Sequence, residues 1–507
     1  MSLRYLHSLI LVLIFSVGYS QFYQGSYQEF GKNRVQYNGF SWKSHNYQRF
    51  KIYYSGINED VAVYVARTMH YYLEMAEKKL DHVFPEKLDV IVYESQSKFR
   101  QSNLGVNNDE YSNVGGSSRI VGSKIFMYFE GDHQKFNQNI KGAVYEVLIK
   151  HLLYGGDWKD QLKSNINSGI PVWLEKGLIS YLVKEWDDET ESRVKDLILT
   201  GKIDRFNKLT DEEKAYCGHA VWNYIAETHG ASLIPNIIYI TRATKNIERG
   251  FFSLLNMDFV TLNRNYISFY RARYIEEYKN QKEPEGDKKK LKNKKESVYY
   301  EAKISPDGTK IAYVENTLGR YRIKVLDTLS GKVTKIYAAE PKMERIQDYS
   351  YPVIGWHPNG KALTFFAESK GALHMYIYTF DDKSLVEKDM KELDKILDFS
   401  YSKDGRKIVF SGVVKGQSDL YLLDVTSQIR KQLTDDIYDD LNPQFIDNSS
   451  RVIFSSNRIS DTIFKRPDID FIESKNDIFI YDLKEADHTY KYLEQITQTP
   501  DWDETQP

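Results

Sequence analysis

Two hydrophobic rhythms divide the chain. In its first half, short apolar runs read as strands at Phe50-Lys51-Ile52-Tyr53-Tyr54 and Leu88-Asp89-Val90-Ile91-Val92-Tyr93, with a helix near 59–80 between them. Longer apolar stretches at 141–154, 171–181, Tyr216 to Ile225 and 247–278 read as helices. Residues 279–297 are charge-dense and nearly free of apolar side chains, so they cannot bury a core and are expected to form a solvated linker. Beyond them the rhythm becomes that of short strands separated by tight turns.

Those turns repeat. Ser305-Pro306-Asp307-Gly308 precedes Lys310-Ile311-Ala312-Tyr313-Val314, and His357-Pro358-Asn359-Gly360 precedes Lys361-Ala362-Leu363-Thr364-Phe365. Ser402-Lys403-Asp404-Gly405 and Asp447-Asn448-Ser449-Ser450 introduce two further such strands, at a spacing of 45–52 residues. Asp-Gly and Asn-Gly favour tight hairpins, and the period is that of a propeller blade. The wording resembles that of TolB-like β-propellers, which implies four-stranded antiparallel blades over 298–507. The tail from Gln495-Ile496-Thr497 echoes Gln432-Leu433-Thr434, the entry to the fourth repeat. The expectation is therefore about four blades, with the chain stopping at the threshold of another and leaving open sheet edges, or else a small propeller closed by another segment of the chain or by a partner.

The first half carries a different signal. Residues 141–154 and 171–181 resemble the two helices of a gluzincin-type metallopeptidase, the first of which normally reads His-Glu-x-x-His. Here the five residues are Tyr145-Glu146-Val147-Leu148-Ile149, and only the glutamate survives. In the second helix, Trp173-Leu174-Glu175-Lys176-Gly177 places a lysine at the third-ligand position. The resemblance implies an α+β zincin-like domain over 21–278 whose former site comprises Tyr145, Glu146, Ile149, Glu175 and Lys176. It holds no catalytic residue, no metal and no cofactor. Lys176 is expected to bring its ammonium close to Glu146, standing in for the lost cation.

No other zinc set offers itself. The 11 histidines include no pair at helical spacing, His151 lies off the Glu146 face, and Cys217 is the sole cysteine. Cys217 reads as a small buried hydrophobe, and no Gly-x-Ser-x-Gly elbow occurs.

A length of 507 residues implies more than one domain, and a net charge of −2 argues against a nucleic-acid partner. Arg4, the apolar run Leu9–Val17 and Gly18-Tyr19-Ser20 before Gln21 read as a secretory signal over 1–20. No later segment is long and apolar enough to span a membrane. The octapeptide Phe30-Gly31-Lys32-Asn33-Arg34-Val35-Gln36-Tyr37 is similar to the opening of large exported TolB-type proteins in bacteria with type IX secretion. These resemblances imply an exported, non-catalytic scaffold of the Gram-negative envelope, in the periplasm or at the outer membrane, that binds another envelope protein. The alternatives are the propeller of a larger hydrolase whose catalytic part lies elsewhere, and a glycan-binding module.

Overall fold

The computed structural model describes residues 36–57, 59–101, 119–121, 124–155, 169–184, 186–279, 281–282, 297–317, 319–339, 349–461, 474–484, 492–499 and 502–507. The signal segment 1–20, all of the octapeptide but Gln36 and Tyr37, and most of the linker lie outside them.

The α/β half is built on a five-stranded sheet, β1 (Lys43–Asn46), β2 (Phe50–Ser55), β3 (Leu88–Tyr93), β4 (Arg119–Val121) and β5 (Lys124–Tyr128), in the order β1-β2-β3-β5-β4. The β2–β3 and β3–β5 pairs are parallel, and the edge pairs β1–β2 and β4–β5 are antiparallel. Near-continuous burial along β2, β3 and β5 matches strands covered on both faces. One face meets the helices. The other carries Tyr53, Ile91, Tyr93, Phe126 and Tyr128, with Phe40, Trp42 and Phe99 of the 96–101 helix packed over them.

The helices are α1 (Glu59–Leu80), α2 (Gln96–Gln101), α3 (His133–Tyr154), α4 (Val172–Val183), α5 (Asp188–Leu199), α6 (Asp211–Ile225), α7 (Leu233–Thr244), α8 (Ile247–Leu255) and α9 (Phe259–Tyr278). Their ends follow side-chain chemistry. Thr210 and Glu213 form a reciprocal capping box on α6, and Asp132, Asp187 and Asp258 cap α3, α5 and α9. Asn256, in the left-handed region at φ 53°, separates α8 from α9, so 247–278 is two helices rather than one.

The second half consists of four antiparallel four-stranded sheets, each a run of consecutive strands: β6–β9 (Ser297–Ala338), β10–β13 (Val353–Asp389), β14–β17 (Lys395–Gln432) and β18–β21 (Asp440–Gln495). Their first strands lie beside one another in blade order. Ala312, Val314, Ile323 and Val325 of blade one pack on Ile354, Leu363 and Phe365 of blade two. Blade two meets blade three through Phe366, Met375, Phe410 and Tyr421, and blade three meets blade four through Val409, Leu420, Val452 and Phe454.

The outward face of blade one is charged. Strand alternation turns Tyr313, Glu315, Arg322 and Lys324 away from blade two. Glu315 is enclosed there by Lys324 (Nζ donating to Oε2 at 2.6 Å) and Arg322 (3.3 Å). A charged outer face is what a terminal repeat needs in order to meet water. The tail also folds back: the Glu504 amide donates to the Asn476 carbonyl, and Asp503 Oδ1 accepts from the Asn476 amide and from Gln134 of α3.

Candidate degenerate metal site

Helix α3 carries the five residues that resemble a zinc motif. Tyr145 and Ile149, one turn apart, share a helical face and are 1% and 0% exposed. Burial pushes the Tyr145 hydroxyl up to about 12, so it stays protonated and is a poor metal ligand. Ile149 has no lone pair to offer.

Glu146 is half-buried, and the cation it holds is Lys150 on the next turn of the same helix. The sequence also points to Lys176 on α4, and the charges of both lysines act on the neighbouring Glu175 carboxylate. An (i, i+4) Glu–Lys pair with the acid first is the favoured orientation, and it is available without tertiary structure. Lys176 is half-buried on α4. The more deeply enclosed carboxylate is its neighbour Glu175, whose Oε2 accepts a hydrogen bond from the Tyr154 hydroxyl at 3.1 Å. Burial raises the Glu175 pKa, opposed chiefly by the charge of Lys150. Two carboxylates and two lysines thus meet where α3 passes α4, and none of these groups is an imidazole or a thiolate.

Helix α4 is held in place by α6. A Cβ on Gly177 would lie 2.3 Å from the Gly218 carbonyl carbon, and one on Gly218 would lie 2.6 Å from the Trp173 carbonyl oxygen, so the two backbones touch through glycine. The Trp222 indole donates to the Leu174 carbonyl at 3.0 Å, and Ser180 Oγ meets His219 Nδ1 at 2.9 Å. Burial depresses the His219 pKa to about 4, leaving a neutral core imidazole. Cys217 is buried, its thiol pushed up to about 12, as befits a packing residue. His151 is satisfied by His82, Nδ1 to Nε2 at 2.9 Å.

The propeller also shapes this region. Asp439, just before β18, accepts from the His133 backbone amide at 2.6 Å and meets its ring Nδ1 at 2.7 Å, both at the first turn of α3. Asp439 is supported by Ser418 Oγ at 3.1 Å. Lys395 of blade three is buried against Glu130 at 2.7 Å. The Lys415-Gly416 hairpin reaches Val61 and Phe129, and the Lys370-Gly371 hairpin reaches Tyr37 and Gln101. Sequence reasoning missed these contacts. The acid-rich stretch Asp435-Asp436-Ile437-Tyr438-Asp439-Asp440 was their one visible sign. Among the described residues no helix is long and apolar enough to cross a membrane.

No family model matches the chain, and no curated protein matches it. Solved structures do. TolB from Acinetobacter baumannii is 18% identical over 41% of this chain and 45% of its own, with a TM-score of 0.32. A protein assigned as TolB in Agrobacterium tumefaciens is 23% identical over 39% of this chain and 64% of its own (TM-score 0.30). The β-propeller domain of the Trilobed protease from Pyrococcus furiosus, described as having an open velcro topology, is 14% identical over 40% of this chain and 58% of its own (TM-score 0.27). This chain therefore spans less than two thirds of each. At such identities and scores they carry no argument about activity, and the propeller assignment rests on the four consecutive sheets themselves. The solved neighbours are TolB-like β-propeller proteins.

Proposed function

We propose that this protein is a non-catalytic, exported envelope protein, a degenerate gluzincin-like domain joined to a TolB-like propeller, that serves as a binding scaffold for another envelope protein. It resides in the periplasm or at the outer membrane of a bacterium with type IX secretion. The observation that carries the loss of catalysis is the enclosure of Tyr145 and Ile149 in the core, beside a Glu146 already neutralised by Lys150. Zinc needs three protein ligands with free lone pairs. A protonated phenol, an alkyl group and an ammonium supply none, and the lysines repel a dication. The contacts that seat the propeller on α3 support a joint role as one platform, since propeller rims serve chiefly to bind partners.

Affinity purification of the tagged full chain from envelope membranes tests the scaffold role. It should return one protein in stoichiometric amount, and a tag on that protein should return this chain. Retention on immobilised peptidoglycan or glycan, with no protein recovered reciprocally, would replace the scaffold reading with the glycan-binding one.

A further inference from the structure

The junction of blades three and four holds a cluster unrelated to the degenerate site. Asp419, Asp436 and Asp440 are all buried and can bring one ligand oxygen each within 4.8 Å of one another. Two of them pair with one buried guanidinium. Arg458, whose side chain is fully enclosed, donates to Asp436 Oδ2 at 3.0 Å and to Asp440 Oδ1 at 2.6 Å. With all three acids ionised, one guanidinium leaves two negative charges uncompensated.

Two observations set this cluster apart from an ordinary polar network. Asp440 is wholly enclosed, yet its Oδ2 is met by no donor among the described residues. Buried carboxylate oxygens are normally satisfied, and one without a donor leaves room for a donor or a cation. The chain also builds the same clamp a second time with fewer acids. Around Asp419, Gln432 donates to Oδ2 at 3.0 Å, Thr434 Oγ1 accepts from the next residue's amide, and the Asp436 amide donates to Oδ1. Around Asp477, Gln495, Thr497 and the Thr499 amide repeat these bonds. Thr499 thus stands where Asp436 does, so the clamp itself does not require the second carboxylate.

We propose that Asp419, Asp436 and Asp440 form a binding site for one divalent cation of the hard, oxygen-seeking class, with calcium the first candidate. All-oxygen ligation by carboxylates suits calcium, magnesium or manganese rather than zinc or copper. A dication balances the residual charge of the three acids and Arg458, and gives Asp440 Oδ2 its partner. Bound there, it ties the third strand of blade three (Gln417–Asp424) and the loop after its last strand (Arg430–Gln432) to the first strand of blade four (Asp440–Ile446), and so fixes the Asp439 that holds α3.

Calorimetric titration of the full chain with calcium, magnesium and manganese chlorides tests this. The expected result is saturable binding of one ion per chain by at least one of the three, together with a higher unfolding temperature. Asp419→Asn and Asp436→Asn should each weaken it by at least about tenfold. Asp477→Asn, at the blade-four copy of the clamp, should leave it unchanged. Absence of saturable binding in the wild-type chain up to about 10 mM of all three ions would overturn the proposal. So would binding that survives the Asp419→Asn/Asp436→Asn double variant. If either single variant fails to fold, the other and the wild-type titration still decide.

Discussion

At the scale of single residues, the surviving letters of the peptidase-like motifs have structural work to do. Gly177 is the clearest case: it was legible as part of Trp173-Leu174-x-x-Gly177, and its physical role is to let α4 and α6 touch. Gly177→Ala should therefore destabilise the protein by about 3 kcal/mol or more, read from chemical denaturation, because neither backbone can give way. An effect below about 0.5 kcal/mol would mean that the helices tolerate separation. The positions of Tyr145 and Ile149 on one helical face also followed from the sequence, because an (i, i+4) spacing fixes it. The partner of Glu146 did not. A peptidase-like frame drew attention to Lys176, whereas pairing with Lys150 needed only the geometry of one helix. Glu175 was legible as a site residue, but its burial depends on how α3 crosses α4, and no local pattern encodes that crossing.

Among elements, strands and helices with strong local patterns were readable. The segments Phe50–Ser55, Glu59–Leu80 and Leu88–Tyr93 lie where apolar spacing puts them, and the Asp-Gly and Asn-Gly turns join the first two strands of blades one to three. Blade four makes the same turn without glycine, holding Asp447, Asn448 and Ser449 at positive φ. Contacts between distant elements were not readable. The propeller cap on α3 joins His133 to Asp439, residues 306 apart. Asp439→Ala removes both a negative charge and an acceptor at a helix N-terminus, and should cost about 2–3 kcal/mol. Amide exchange should rise first in the opening turn of α3, and unchanged protection there would show that the cap is dispensable.

The same interface should respond to pH through Asp394, whose Oδ2 accepts from the Lys415 amide at 2.6 Å. Burial, with Glu94 across the interface, raises its pKa to about 6, against the opposing charges of Lys98 and Lys415. The folded value lies above the unfolded one. This group's stabilising contribution is thus complete below about pH 4 and is lost as pH rises through about 6. Asp394→Asn should match wild type near pH 4 and exceed it by about 1–2 kcal/mol at pH 7.5, an amount discounted for the half-buried setting. Equal stabilities at both pH values would contradict the assignment.

For the molecule as a whole, the sequence divided the chain into an α/β half and a repeat half joined by a charged segment, a division that carries no sign of how the halves meet. The side chains that join them are polar and dispersed, namely Glu130, His133, Lys395 and Asp439, and such residues carry no periodic signature. The charged outward face of blade one was equally hidden, because Glu315, Arg322 and Lys324 converge only once the strands pair. The central claim of the proposed function is the loss of zinc chemistry at Tyr145, Glu146 and Ile149. The most direct test is metal analysis and peptidase assay of the purified full chain after incubation with zinc, beside the Glu146→Gln variant. The account predicts no stoichiometric zinc, no hydrolysis and no difference between the two proteins. One zinc per chain, with peptidase activity that disappears in Glu146→Gln, would contradict it.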